Sequence, residues 1–180
     1  ANRLLAVDPF ALLIGMLLDQ QFPMERAFSG PHLLAQRLGF ADHLDPCRLL
    51  DVSVADLESA AAGPPAIHRY PKAMADRVRQ VAEIVCEQYG GDTARIWGTA
   101  ADAQQLLQRM VALPGFGQQK ARIFLALLGK QFAVELRDWR SVCEPYGDVG
   151  THRSIADVVD GESLDRVRAF KKEQKRAARG

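Results

Sequence analysis

The five residues Leu113-Pro114-Gly115-Phe116-Gly117 are the part of this chain best suited to binding an anion. Gly115 and Gly117 let the backbone turn sharply with φ > 0 and remove side chains that would hold a ligand at a distance. Placed just before a helix, such a turn presents free N–H groups at the helix's positive end, where a phosphate is held. The contact positions a nucleic-acid backbone and reads no sequence. Gln118, Gln119 and Lys120 follow directly, adding two carboxamides and an ammonium to the first helical turn. A plain corner between two helices also uses Gly and Pro. The all-round apolar helix behind the turn and the adjacent lysine weigh toward the anion.

Two further segments carry suitable groups. Ile67-His68-Arg69-Tyr70-Pro71 sets an imidazole, a guanidinium and a phenol before a helix. That set can line a base pocket, touch phosphate, or serve only as a structural loop. Arg166, Arg168, Lys171, Lys172, Lys175, Arg176 and Arg179 form a basic face that can meet a phosphate backbone or simply be solvated. The chain as a whole is almost neutral, with net charge +1 and a pI near 8.0. DNA affinity must therefore rest on where the positive charge sits. His32, His43 and His152 have no metal-ligand spacing, so no metal is expected. Cys47, Cys86 and Cys143 are too scattered for a zinc finger or CxxC motif and too few for an iron–sulfur cluster. They read as reduced, buried thiols of a cytoplasmic protein. Trp97 and Trp139 read as core before base platforms.

The elements that must position these groups read as helices joined by short Gly/Pro loops. In 180 residues, 48% hydrophobic and 25% charged, there is enough chain for one domain or two lobes sharing a core. Asp8-Pro9 is a helix start, and the apolar run through Leu18 should lie in the middle of the fold. Helices are predicted over 31–38 (stopping at Gly39) and 54–61. A third carries Met74, Val78, Val81, Val85 and Tyr89 at three- and four-residue steps from Pro71 to Gly90. Residues 101–112 and 118–128 form the helices around the hairpin, the second capped by Gly129, and a last helix spans roughly 163–178. Phe132-Ala133-Val134 is the one plausible strand and too short for a sheet. The fold class is all-α. The run Phe10–Leu18 is too short to span a bilayer, and it lacks a signal peptide's basic flank and cleavage pattern.

Leu113 to Gly129, LPGFGQQKARIFLALLG, resembles the hairpin and second helix of the helix–hairpin–helix/GPD (endonuclease III-like) superfamily of base-excision DNA glycosylases. DPFALLIGMLLDQQ looks like the superfamily's early central helix with its glutamine-bearing end. IHRYPKAMADRV and RSIADVVDGESLDRVRAFKKEQKRAA look like an actinobacterial-type branch without an iron–sulfur cluster. The resemblance implies a single helix–hairpin–helix glycosylase domain over 1–180, two helical lobes with a cleft between them. Its parts are a central helix at 8–20, the hairpin at 103–128 and a basic C-terminal helix at 163–179.

Such enzymes extrude a damaged or mispaired nucleotide and cleave its N-glycosidic bond, and an inserted side chain holds the vacated stack. The resemblance places Gln20 and Gln21 at that plug. A carboxamide suits the role because it can both donate to and accept from an orphaned base. Phe22 beside it is an apolar wedge or core. Leu113, Pro114, Gly115, Phe116, Gly117, Gln118, Gln119 and Lys120 are then the DNA-binding hairpin, and His68 and Tyr70 candidates for the base pocket. Where bifunctional relatives carry a nucleophilic lysine, this chain has Gln119. Lys120 lies one residue on, rotated by about 100°. No lyase activity is expected. The relatives' catalytic aspartate falls by count on Leu136, which cannot stabilise an oxocarbenium-like sugar. Asp138, the first choice, and Glu135 are the nearest carboxylates. Asp138 can equally be only the next helix's N-cap.

The resulting expectation is a monofunctional DNA glycosylase, located in the cytoplasm with the nucleoid. Its partner is double-stranded DNA, held mainly by its phosphate backbone; nothing demands more than a monomer or any membrane. No cofactor is expected beyond room for a monovalent cation at the hairpin. The alternative is a catalytically inactive DNA-binding protein of the same fold, favoured by the displaced aspartate. A helical protein–protein module is a third.

Overall fold

The computed structural model describes residues 8–40 and 43–178. Among these the chain is all-helical, with no strand. Contacts divide it into two compact units. One comprises the chain up to Ile96 together with Leu113–Gly115, the other Trp97–Ala112 and everything from Phe116 onward.

In the first unit, α1 (Pro9–Leu18) starts as the Asp8-Pro9 pair dictates, with an Asp8 carboxylate oxygen accepting from Ala11 N at 2.9 Å. That carboxylate is buried. Its other oxygen accepts from Leu44 N at 2.6 Å and lies 3.1 Å from His43 Nδ1, so one side chain caps the helix and anchors a distant loop. Every α1 residue from Phe10 to Leu18 is buried. A fully buried large aliphatic or aromatic side chain contributes about 1.5–3 kcal/mol, which makes α1 the main hydrophobic element of this unit. Helix α2 (Met24–Arg37) crosses it closely. A Cβ at Gly15 would sit 2.6 Å from the Phe28 ring, and one at Gly30 2.5 Å from Leu18 Cδ1.

Helix α2 corrects the reading that Pro31 starts a helix, because Pro31 lies inside it. Its ring forgoes one backbone bond, and burial of Met24, Ala27, Phe28, Leu34 and Ala35 on both sides outweighs that loss. Helices α3 (Pro46–Asp51) and α4 (Val54–Ala62) are capped by the side chains of Asp45 and Ser53. Both pack on α5 (Pro71–Tyr89), which ends at Gly90 in the left-handed conformation, φ 63°. Arg79 donates to the carbonyls of Leu50 and Val52, tying the ends of α3 to α5. Cys47 and Cys86 form a disulfide across the same pair of helices, which corrects the expectation of three reduced thiols. Residues 39 positions apart in sequence become covalent neighbours only once α3 lies on α5.

The second unit contains α6 (Arg95–Gly98), whose first two residues belong to the first unit, and then α7 (Ala103–Val111), α8 (Gln118–Gln131) and α9 (Trp139–Val142). A short 3₁₀ turn (Ile155–Asp157) and α10 (Gly161–Ala177) complete it. Asp102 caps α7 by accepting from Gln105 N. Helix α8 continues through Gly129, which is a packing residue and not the expected cap. A Cβ there would lie 2.7 Å from the Trp139 ring. Residues 132–134 form no strand: Ala133 adopts φ 55° and Val134 N donates to Leu128 O, closing α8. Lys130 and Asp157 form a largely buried ion pair at 2.6 Å that holds the 3₁₀ turn on α8. Cys143 is buried, and burial pushes its thiol up to about 11, so it stays protonated at neutral pH. Helix α10 buries Ser163 and Val167, whereas Lys172, Lys175 and Arg176 project into solvent. Arg179 of the basic run lies outside the described residues. No described helix is long and apolar enough to cross a membrane.

Candidate nucleic-acid interface

In the first unit, three segments far apart in sequence meet. The end of α1 leads into Gln20, Gln21 and Phe22. The loop before α5 supplies His68, Arg69 and Tyr70, α5 supplies Arg77, and the turn supplies Gly115. The buried His68 ties the first two together. Its Nε2 lies 2.8 Å from Gln20 O, and its Nδ1 accepts from Tyr70 N at 3.0 Å. A nitrogen that accepts an N–H carries no proton, so the neutral ring donates from Nε2 to the Gln20 carbonyl. Phe22, His68 and Tyr70 form a line of rings with centroids 5.0 and 6.0 Å apart. Arg26 sits over Phe22 and Arg69 over Tyr70, at 4.8 and 5.5 Å from the ring centroids. Tyr70 is half exposed. An exposed ring such as Tyr70 beside a guanidinium group can stack a base and neutralise a phosphate, whereas His68 is buried and Phe22 only partly exposed.

The two glutamines differ. Gln20 Oε1 accepts from Arg77 Nη1 at 3.3 Å. Gln21 is exposed, its carboxamide has no partner among the described residues, and its backbone is left-handed at φ 54°. Of the two proposed plugs, Gln21 is thus the available one.

At the turn, Gly115 has φ 81°, and a Cβ there would lie 2.5 Å from Leu17 Cδ1 and 3.5 Å from Arg77 Cδ. Conformation and space both require glycine. Gly117 departs from expectation, with an ordinary φ of −82° and no atom within 4 Å of a built Cβ. No contact within the described chain demands its lack of a side chain. It is the N-cap of α8 and offers no capping side chain, so the N–H groups of Gln118 and Gln119 meet no acceptor among the described residues. Leu113 and Phe116 are buried, and they anchor the turn instead of reaching outward.

Within the second unit, Lys120 lies over the Phe116 ring, 5.6 Å from its centroid. Gln119 Nε2 donates to Tyr146 Oη at 2.8 Å. Asp138 stands at the N-cap position of α9, but its side chain makes no capping bond. It is 75% exposed and 3.9 Å from Arg137 Nε; Glu135 is exposed too. Water's dielectric matters here. An ionic contact at 4 Å is worth about 1 kcal/mol in bulk water and about 4 kcal/mol at an effective dielectric of 20. Asp138 can stabilise a developing cation strongly only if a bound partner excludes solvent from it. Trp97 and Trp139 are buried core residues, as their types suggested.

The sequence reading missed Arg26 and Arg77. Arg77 lies within IHRYPKAMADRV but no spacing marks it out, and only the folded arrangement puts Arg26 beside Phe22 and Arg77 beside Gln20. No family model, no curated protein and no solved structure matches this chain.

Proposed function

We propose that this chain is a helix–hairpin–helix protein that binds duplex DNA and captures an extruded nucleotide, acting as a monofunctional base-excision glycosylase. The observation that carries the reading is the meeting of Gln21, the Phe22–His68–Tyr70 line, Arg77 and Gly115 in one unit. Residues with plug, stacking and phosphate-binding chemistry come together there from three separate segments. In this reading the N–H groups at the start of α8 take a backbone phosphate, and Gln21 enters the vacated stack.

The chemical step breaks the C1′–N bond, and the bonding electrons leave with the base. A water oxygen adds to C1′, one of its protons is lost to solvent, and the departing base takes up a proton. Asp138, desolvated by the bound duplex, would stabilise the cationic sugar and orient that water. Gln119 offers no amine, so no Schiff base forms and the strand stays intact after base loss.

A second reading is favoured by the exposure of Asp138 and Glu135. It keeps the binding and drops the hydrolysis. Single-turnover assays on duplexes carrying an alkylated purine, uracil, hypoxanthine or 8-oxoguanine separate the two, with alkali revealing abasic sites. Base release by the wild type that is lost in Asp138→Asn supports the glycosylase. Binding with no release across the panel supports the second reading, and no salt-dependent duplex affinity refutes both.

A further inference from the structure

A cavity of about 790 Å³ is lined wholly by residues of the second unit. Its size falls in the range of small-ligand sites. One wall is a single stripe of α7, where Gln104 and Gln108 stand one turn apart with Leu107 and Val111 between and beyond them. Across from it, Gln118 and Arg122 stand one turn apart on α8, and Ala112 with Ser141 and Val142 of α9 complete the lining.

Among the described residues, no carboxylate lines the cavity. Arg122 has no hydrogen-bond, ion-pair or ring partner among the described residues, a condition that only Arg176, on the solvated end of α10, shares among the described arginines. The carboxamides of Gln104, Gln108 and Gln118 are likewise without partners among the described residues. Three open amides and one guanidinium without a described partner thus line a partly apolar cavity.

We infer that this cavity binds one purine nucleotide unit. Arg122 takes the phosphate through its planar fork of donors. A glutamine carboxamide pairs with the acceptor and donor on an adenine's outer edge, and the base lies against Leu107 and Val142. The nucleotide has two possible sources, a free mononucleotide or a nucleotide of a bound strand. The second source rests on the DNA-binding reading above; the first does not.

Arg122 is exposed and bonded to nothing described, so Arg122→Gln leaves the fold intact, which a circular dichroism melt verifies. Titrating dAMP into ¹⁵N-labelled protein is expected to shift the amides of 104–112, 118–122 and 141–142, with affinity at least tenfold weaker in Arg122→Gln. Should dAMP leave these signals unmoved, a strand-borne nucleotide still predicts that Arg122→Gln binds duplex at least threefold more weakly. The slope of log K against log salt would also fall by about one. Unmoved signals together with wild-type duplex binding by Arg122→Gln overturn the inference. Failure of the wild type to bind any duplex refutes the DNA-binding reading and leaves the dAMP titration to decide this one.

Discussion

Gly115 and Gly117 look equivalent in sequence, but within the described chain only Gly115 is required to be glycine. At Gly115, an alanine would hold a left-handed backbone at a cost of roughly 1–2 kcal/mol. Its Cβ would also meet Leu17 Cδ1 at 2.5 Å, and Leu17 is fully buried and has no room to retreat. Overpacking of that kind costs about 1–3 kcal/mol, so Gly115→Ala should destabilise by roughly 2–5 kcal/mol. For a chain of this length that lowers the melting temperature by about 4–20 °C. At Gly117, φ is −82° and the space is open. Alanine there narrows the unfolded ensemble and loses some N-cap preference, small effects of opposite sign that leave stability within about 1 kcal/mol. The methyl would nevertheless stand between the turn and an approaching phosphate. Loss of one hydrogen bond to a charged group is worth about 1.5–3 kcal/mol, or roughly 10- to 100-fold in affinity. Thermal melts and duplex-binding anisotropy on both variants make the test. A Gly115→Ala protein that melts like wild type refutes the packing argument. A Gly117→Ala protein that binds duplex as tightly as wild type refutes the phosphate contact.

Three further outcomes follow from the packing and the caps. Opening the Cys47–Cys86 bond frees a loop of 39 residues' separation and should cost about 3–4 kcal/mol; thiol titration of denatured protein should find one free thiol before reduction and three after it. Lys130→Ala strands the Asp157 carboxylate, which is 4% exposed, and should destabilise by about 3–5 kcal/mol in urea titrations; an effect below 1 kcal/mol would mean that water reaches the pair. Hydrogen bonds from the Ser163 backbone and hydroxyl hold the Asp160 carboxyl below its ordinary value of 3.8, so the cap of α10 is intact above that value and is lost as pH falls through the lower folded-state one. Helicity at α10, followed by amide NMR, should be constant from pH 7 to about 5 and fray only below about 4.

Local punctuation carried most of the fold. Asp8-Pro9, Pro71 with Gly90, and Gly115 each specify a backbone that few other residues supply, and the structure uses them there; Gly117, at φ −82°, does not. Asp45-Pro46 repeats the first of these signals, yet it opens only a six-residue helix, too short to show periodicity. The misreadings share a cause. Pro31 and Gly129 are residues that usually end helices, and both lie inside one because tertiary packing decides their place: Pro31 in a helix face buried on both sides of it, Gly129 under the Trp139 ring. The disulfide was invisible since no spacing rule joins residues 39 apart. Gln20, Gln21, His68 and Tyr70 were singled out by resemblance and residue type. Their meeting with Arg77 and Gly115 is a property of the packed helices, which periodicity does not report.

The adjacent glutamines give the sharpest way to separate binding from folding. His68 fixes the chain on one side of Gln21 by taking the Gln20 carbonyl, and Gln20's own amide is held by Arg77. Gln21 is left in a left-handed conformation that costs a non-glycine residue roughly 1–2 kcal/mol, with nothing described that its side chain gains in return. Selection for stability alone would favour glycine at this position. Gln21→Gly should therefore melt at or above the wild-type temperature, the relief of strain offsetting the larger unfolded-state entropy of glycine. Gln21→Ala keeps the strain and removes only the carboxamide. If Gln21 fills the space of an extruded base, both variants should show reduced extrusion, read by 2-aminopurine fluorescence in a mismatched duplex, despite their opposite effects on strain. Stability and base capture would then move independently at one residue. A Gln21→Gly protein that melts well below wild type would show that the carboxamide has a structural partner, and unchanged fluorescence in both variants would remove Gln21 from the interface.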